Sequence, residues 1–450
     1  MPSSVAPISE QRKGLLDRFL SLFTQVKAGE AVSALLLALN IFILLASYYL
    51  LKTVREPLIL TQGGAEVKSY SSALMALLLL LVVPAYGAFA SRVRRSRLIT
   101  WVTLFLISHL AIFYILGRAG IQVGIAFFLW VGIFNVFITA QFWAFANDVY
   151  SEEQGKRLFP MIGVGASLGA WVGALMAQWA FGRFDPQSAP YSLMLLAAMG
   201  LGISIFITYE VNLREGRSVA QEETASAEKP LGKEGGFKLV FTQRYLLLIA
   251  ILILLMNVVN TTGGFILDKV VTTEYSEQAA TNSEMQVMIG QFYGNFYGWQ
   301  NLLGFLIQLF LVSRIFKFIG IRGALFVLPC LALGGYTLFI AAPVLMIIQI
   351  VKLAENSTDY SLQNTVRHAL FLPTSREAKY KAKTAIDTFF WRLGDMIQAV
   401  IVFVGVQLAF AIQHFAIVNL IFVGIWLFVV KALAREHRRL STESELEKAA

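Results

Sequence analysis

The chain has 450 residues, 57% of them hydrophobic and 14% charged, with a formal net charge of +9 and a mean hydropathy of +0.66. A soluble chain carries about 25% charged residues, and apolar runs close to the ~20 residues that cross a bilayer recur from end to end, so a water-soluble globular fold is excluded. The basic excess is gathered in particular loops, which sets nucleic acid aside as a partner, and the single cysteine, Cys330, excludes an intrachain disulfide or a cysteine metal centre.

Residues 1–30 are polar and mixed in charge, and Leu15 to Val26 reads as a short amphipathic helix on the membrane surface. No short apolar segment with a small-residue cleavage site precedes the first long run, so no cleavable signal peptide is expected. Twelve membrane-spanning helices are expected, at about 31–51, 69–90, 98–117, 121–146, 160–181, 191–211, 244–267, 286–312, 323–340, 342–364, 384–409 and 413–433. Residues 212–243 are rich in Glu, Ala, Ser, Lys and Gly and read as a flexible linker. This divides the chain into a segment 1–30, a six-helix bundle 31–211, the linker, a second six-helix bundle 244–433 and a tail 434–450.

Basic residues alternate between the loops. Arg92, Arg94, Arg95 and Arg97 follow span 2; Lys156 and Arg157 follow span 4; Arg314, Lys317 and Arg322 follow span 8. Arg367, Arg376, Lys379, Lys381 and Lys383 follow span 10, and the tail adds Lys431, Arg435, Arg438 and Arg439. The opposite loops hold chiefly Lys52, Arg55, Arg118, Arg183 and Lys269. The positive-inside rule then puts both termini and the linker in the cytoplasm.

The two halves read as repeats. The basic loops at Arg92 and Arg314 are about 220 residues apart, and Lys156 and Lys381 are separated by nearly the same distance. A constant offset is the trace of two parallel six-helix units, as in the major facilitator fold. Gly165, Gly169 and Gly173 on span 5, and Gly290, Gly294 and Gly298 on span 8, are small-residue stripes that permit close helix approach. In that fold spans 5 and 8 pack across the halves. The expected architecture is therefore an all-α membrane protein of the major-facilitator type.

In such a fold spans 1, 4, 7 and 10 line a central cavity, and each carries polar side chains. Span 10 holds Gln349, Lys352, Asn356, Asp359, Gln363 and Arg367 at steps of three or four, with Glu355 one turn after Lys352. Intramembrane charge is tolerated only when it faces protein or water. Span 1 adds Asn40, Ser47, Tyr48, Lys52, Arg55 and Glu56; span 4 adds Asn135, Thr139 and Trp143; span 7 adds Asn257, Asn260, Thr261 and Asp268. Lys52, Arg55, Lys352 and Arg367 favour an anionic solute, since Arg forks match phosphate or carboxylate oxygens. Two pairings would remove that charge: Lys52 with Glu56, and Lys352 with Glu355 or Asn356. Glu56, Glu355 and Asp359 are also candidate proton sites. No phosphate-binding loop, paired metal-ligand motif or nucleophile elbow is present, so a transporter without cofactor or metal is expected rather than an enzyme.

Two stretches carry a family resemblance. Phe142-Trp143-Ala144-Phe145-Ala146-Asn147-Asp148, followed by Glu153, Lys156-Arg157 and Pro160, resembles the end of span 4 in the ATP/ADP exchange translocases of plastids and obligate intracellular bacteria. Tyr360-Ser361-Leu362, then Pro373, Glu377, Lys379, Lys381, Lys383 and Ala385-Ile386-Asp387, is similar to that family's loop between spans 10 and 11. Leu51-Lys52-Thr53-Val54-Arg55-Glu56 resembles its Leu-Arg-Asp-Thr-Lys-Asp. The resemblance implies nucleotide exchange by alternating access in a bacterial cytoplasmic membrane, by a monomer. It departs at Asp359, where the family has a lysine, and at Asn260-Thr261-Thr262-Gly263, where it has Asn-Leu-Val-Glu.

The expected solute contacts are Lys52, Arg55, Trp143, Asn260, Lys352, Gln363 and Arg367. A cytoplasmic gate is expected from Asp148, Lys156 and Arg157 against Lys383 and Asp387. The other reading on the same fold is a proton-coupled carrier of another organic solute.

Overall fold

The computed structural model describes residues 27, 30–90, 92–93, 95–215, 235–375 and 377–449. The amphipathic stretch Leu15–Val26, most of the linker, Arg94 and Arg376 lie outside the described residues. Among the described residues every regular element is helical. The first set is α1 (Ala31–Ala90), α2 (Arg95–Arg118), α3 (Gly124–Val149), α4 (Glu152–Phe181) and α5 (Ala189–Glu215). The second set is α6 (Gly236–Thr242), α7 (Arg244–Gln278), α8 (Asn282–Leu306), α9 (Val312–Ala341), α10 (Leu345–Thr358), α11 (Asn364–Ala369), α12 (Lys383–Ala385), α13 (Trp391–Gln407) and α14 (Ile412–Ala449). Nine helical stretches among the described residues are long and apolar enough to cross a membrane.

Local sequence explains the boundaries. Ser151 and Gln154 form a capping box before α4: the Ser151 hydroxyl accepts from the Gln154 N–H, and the Gln154 side chain accepts from the Ser151 N–H at 3.0 Å. Gly64 breaks α1 with φ +70°, and Gly320 breaks α9 with φ +68°, a backbone region that penalises a Cβ. The sequence places residues 52–68 between spans 1 and 2. Here they are helical on both sides of Gly64, because Lys52, Arg55, Glu56 and Lys68 turn inward and find partners, so the helix does not end at its first charge.

π-turns at Ile307–Leu311, Asp359–Gln363, Ala378–Ala382 and Ile386–Phe390 interrupt the later helices. Such a turn takes an extra residue and rotates the face that follows it.

Two apolar cores hold the chain together. One is built from residues 31–211. The other is built mostly from residues 239–433, but Tyr49, Ile59, Leu60, Ala65 and Met75 of α1 belong to it, so the two sets share buried surface. The helical runs go back and forth, which gathers the loops at Arg92, Arg157, Arg322 and Lys381 at one end of the bundle with the start of α1. The other end, holding Gly64 and the α7–α8 turn, is here called the far end. There the sets are bonded to each other: Gln286 donates to Thr61 at 3.1 Å, Lys269 pairs with Glu66 at 2.5 Å, and Gln398 donates to Ser69 at 3.1 Å.

The glycine stripes pack differently from expectation. Span 5 and span 8, α4 and α8, do meet: a Cβ on Gly294 would lie 2.8 Å from Gln178, and one on Gly298 would lie 3.0 Å from Leu175. Gly165, Gly169 and Gly173 instead face α1, where a Cβ would lie 2.4, 2.2 and 2.4 Å from the carbonyl oxygens of Ala38, Phe42 and Ala46. The span 8 stripe makes the contact between sets, and the span 5 stripe seats α4 on α1. Overpacking a tight contact removes about 1–3 kcal/mol. Gly169→Val is therefore expected to lower the melting temperature of the detergent-purified protein by several degrees. Gly202→Val, which meets nothing within 4 Å, is expected to leave it near the parent value.

Candidate functional site

Between the two sets lies a cavity of about 350 Å³. Its lining carries the cations Lys52, Arg55, Lys68, Lys352 and Arg392 against the carboxylates Asp268 and Asp395. Tyr48, Phe128, Tyr293, Phe296, Tyr297, Tyr360 and Trp391 add aromatic faces, and Asn257, Asn260, Gln300, Asn356 and Gln398 add amides. A mixed aromatic and cationic wall suits a solute with an anionic end and a flat or polar body.

The first cationic wall stands on α1. Arg55 binds Glu56 at 2.7 Å and lies 4.7 Å from the Phe128 ring centre. Glu56 is fully buried, and it also takes Lys68 at 2.6 Å and the Tyr297 hydroxyl at 2.8 Å. Lys68 reaches across to Asp268 of α7 at 2.7 Å. Lys52 is different. Its ammonium lies 4.2 Å from the Tyr297 ring centre, 4.9 Å from Tyr49 and 5.9 Å from Tyr360. Aromatic faces attract a cation without neutralising it. The Lys52–Glu56 pairing that would have removed this charge is not formed: Arg55 and Lys68 occupy that carboxylate, and Lys68 also takes Asp268.

The second wall stands on α10. Lys352 is 1% exposed and binds Glu355 at 2.8 Å and the Asn260 side-chain oxygen at 2.9 Å. The pairing of Lys352 with Glu355 that the spacing allowed is present. Tyr336 donates to Glu355 at 3.3 Å, which steadies the pair. Asn356 donates to Gln300 of α8 at 3.0 Å.

The polar stripe on this helix then divides. The π-turn at Asp359–Gln363 rotates the following face, so Tyr360 points into the central cleft while Asp359 and Gln363 turn into the second set. Gln363 is fully buried and does not line the cavity, and neither its side-chain oxygen nor its nitrogen has a partner among the described residues. Glu355 and Asp359 border a small void with Trp426. Arg367 is bonded to Asn364 at 2.9 Å and lies 4.9 Å from the Trp391 ring centre, so it meets the cavity only through that ring. Trp143 packs edge-on between Phe142 and Phe159 on α3 and α4, away from the cavity lining.

At the basic end, Arg157 grips Glu30 at 2.9 Å, Lys27 pairs with Glu153 at 3.0 Å, and Lys383 pairs with Asp387. Asp148 and Lys156 border separate surface pockets at this end.

Several lining residues escaped the sequence reading. Lys68, Ser69 and Ser72 come from the second arm of α1; Tyr293, Tyr297 and Gln300 from α8; Trp391, Arg392, Asp395 and Gln398 from α13. The signal was present, since Tyr293, Tyr297 and Gln300, and likewise Trp391, Asp395 and Gln398, fall at steps of three or four. These stripes lie on spans 8 and 11, outside the four spans that line the cavity in the major facilitator fold.

Glu30 offers a test outside the membrane. Burial pushes its carboxyl up, but the Arg157 hydrogen bonds, with those from the Lys27 backbone N–H and Gln154, outweigh burial and hold it at about 2. A carboxyl that titrates lower when folded stabilises the fold above its unfolded value and loses that stability as pH falls through the folded one. The stability difference between the parent and Glu30→Gln is thus expected to be full above about pH 4.5 and to shrink toward pH 2. Denaturant midpoints across that window check it.

A family model described as TLC ATP/ADP transporter matches residues 125–437. ADP,ATP carrier protein 1 of Chlamydia pneumoniae is 23% identical over 334 residues, covering 65% of this chain and 63% of that protein. ADP,ATP carrier protein 1, chloroplastic, of Arabidopsis thaliana is 22% identical over 340 residues, covering 70% and 54%. The chain thus spans between half and two thirds of these two relatives. ADP,ATP carrier protein 1 of Rickettsia bellii is 20% identical over 477 residues, covering 91% and 94%. Among solved structures, a bacterial homologue of the iron transporter ferroportin superposes with a TM-score of 0.63 at 14% identity, covering 90% of this chain and 98% of that one. The nucleoside transporter NupG superposes with a TM-score of 0.60 at 13% identity, covering 89% and 98%. These likenesses establish the major-facilitator-like helical fold. With most of its length matched by that family model, this multi-pass membrane protein belongs to the TLC ATP/ADP transporter family.

Proposed function

We propose that this chain exchanges nucleotides of the ATP and ADP type across a bacterial cytoplasmic membrane, as a monomer working by alternating access. The proposed frame is two six-helix bundles, 31–211 and 244–433, with twelve crossings once the breaks at Gly64 and Gly320 and the stretch 345–369 are counted. Both termini and the linker 212–243 lie in the cytoplasm, on the side of the basic loops.

The observation that carries this reading is the cavity itself. It lies between the two sets, and its lining holds five cations against two carboxylates. Among the described residues Lys52 has aromatic faces about its ammonium and no ion pair, and so meets an incoming phosphate without surrendering a carboxylate partner. In this reading Lys52, Arg55 and Lys352 take the polyphosphate, Asn260 positions Lys352, and Tyr48, Tyr360 and Trp391 face the nucleoside. Arg367 acts through Trp391. The loaded sets then rock, and the Asp148, Lys156, Arg157, Lys383 and Asp387 charges meet to close the basic end. No bond of the solute is made or broken.

A ligand that binds the folded state raises the melting temperature with its concentration. ATP and ADP are expected to stabilise the purified protein above inorganic phosphate, sugar phosphates or peptides. Lys52→Gln is expected to weaken that binding about tenfold to a hundredfold, the loss of one hydrogen bond to a charged group. It is cleaner than Lys352→Gln, which would leave Glu355 buried and unpaired. Stabilisation by another solute class, with none by any nucleotide, contradicts the reading.

A further inference from the structure

The cluster around Lys68 does more than line the cavity. Lys68 stands past the Gly64 break, on the second arm of α1, and its ammonium lies 2.6 Å from Glu56 of the same set and 2.7 Å from Asp268 of the other set. Its side chain is 16% exposed, against 0% for Glu56 and 7% for Asp268. Tyr293 donates to Asp268 and Tyr297 to Glu56, so both carboxylates are also fixed from α8. The Lys68–Asp268 pair is therefore an ion-pair tie between the sets at the cavity wall, next to the Tyr297–Glu56 hydrogen bond. The Lys269–Glu66 and Gln286–Thr61 contacts form the outer ties.

This tie is made of groups that face the cavity. Lys68 and Asp268 both line it, beside Lys52 and Arg55. Within the cluster, Arg55 and Lys68 balance Glu56 and Asp268. An anion entering beside them adds negative charge to a balanced set in a low-dielectric place. Such an anion competes with Glu56 and Asp268 for the ammonium of Lys68. Glu56 has three partners and no exposure, whereas Asp268 belongs to the other set and can leave with it.

We propose that Lys68 is a coupling residue: an anionic oxygen in the cavity takes its ammonium from Asp268, so that only the loaded carrier unties the two sets at the far end. The empty carrier stays tied, so a cavity emptied at the basic end opens again at the far end only after it is reloaded. The inference rests on the exchange reading only for the identity of the anion.

The test is the accessibility of a cysteine at the far end. Ala65 is 1% exposed and sits within the apolar core of the second set. Ala65→Cys is placed on a Cys330→Ala background and labelled with a maleimide in detergent, with inorganic tripolyphosphate as the probe and chloride at equal ionic strength as the control. Labelling is expected to be slow without anion and at least about tenfold faster with tripolyphosphate, since one tie to a charged group is released. Asp268→Asn, which keeps shape and the Tyr293 contact, is expected to label at the fast rate with no anion. Asp268→Glu is expected to restore slow labelling and its response. The proposal is overturned if Asp268→Asn labels as slowly as the parent without anion. It is equally overturned if tripolyphosphate leaves the parent's labelling rate unchanged, whether or not it raises the melting temperature. If tripolyphosphate opens the far end and ATP neither opens nor stabilises, the nucleotide reading fails while the coupling stands.

Discussion

A carboxylate inside an apolar slab must be paired, and Glu56 has no access to water at all. Its partners decide much of the architecture. Arg55 comes from the same turn of helix, Lys68 from beyond the Gly64 break, and Tyr297 from the other set. Satisfying this one charge therefore bends α1 back on itself and brings α8 against it. Lys352 imposes a similar demand on the other side, met by Glu355 and by Asn260 of α7. In both places a local ion pair is completed by groups distant in sequence, Lys68 and Tyr297 for Glu56 and Asn260 for Lys352, so full satisfaction of the charge comes with assembly of the cavity.

Against these neutralised pairs Lys52 stands out. Three tyrosine rings hold it, and rings supply attraction without cancelling charge. A cavity whose every cation had a carboxylate would repel nothing and recruit nothing. One whose cations were all unpaired would not fold in lipid. The arrangement found lies between these: Arg55, Lys352 and Arg392 pair with carboxylates on their own helices, Lys68 pairs across the two sets, and Lys52 is left for an anionic solute.

The sequence made the broad plan legible because lipid leaves so few choices. Apolar run lengths, the alternation of basic loops and the polar stripes on spans 1, 7 and 10 all follow from the bilayer. What it hid has specific causes. Lys68 falls one position before the expected start of span 2, because residues past the first charges at Lys52 and Arg55 look like the end of a helix; only the pairing across Gly64 shows that they are not. Gln363 falls in register with Lys352 on an ideal helix, and a π-turn that no simple periodicity announces rotates it into the second set. The glycine stripe of span 5 seats α4 on α1 rather than on span 8, because spacing tells that a helix is approached closely but not by which neighbour.

The central claim is that occupied and empty carriers differ in what they can do, and counter-exchange reads this directly. Labelled ATP would be offered to proteoliposomes that are empty, loaded with ADP, or loaded with ADP and treated with an uncoupler. The account predicts rapid uptake only into the loaded vesicles, unchanged by the uncoupler. Uptake that ignores the internal nucleotide and collapses with the proton gradient would contradict it and make the buried carboxylates proton carriers instead.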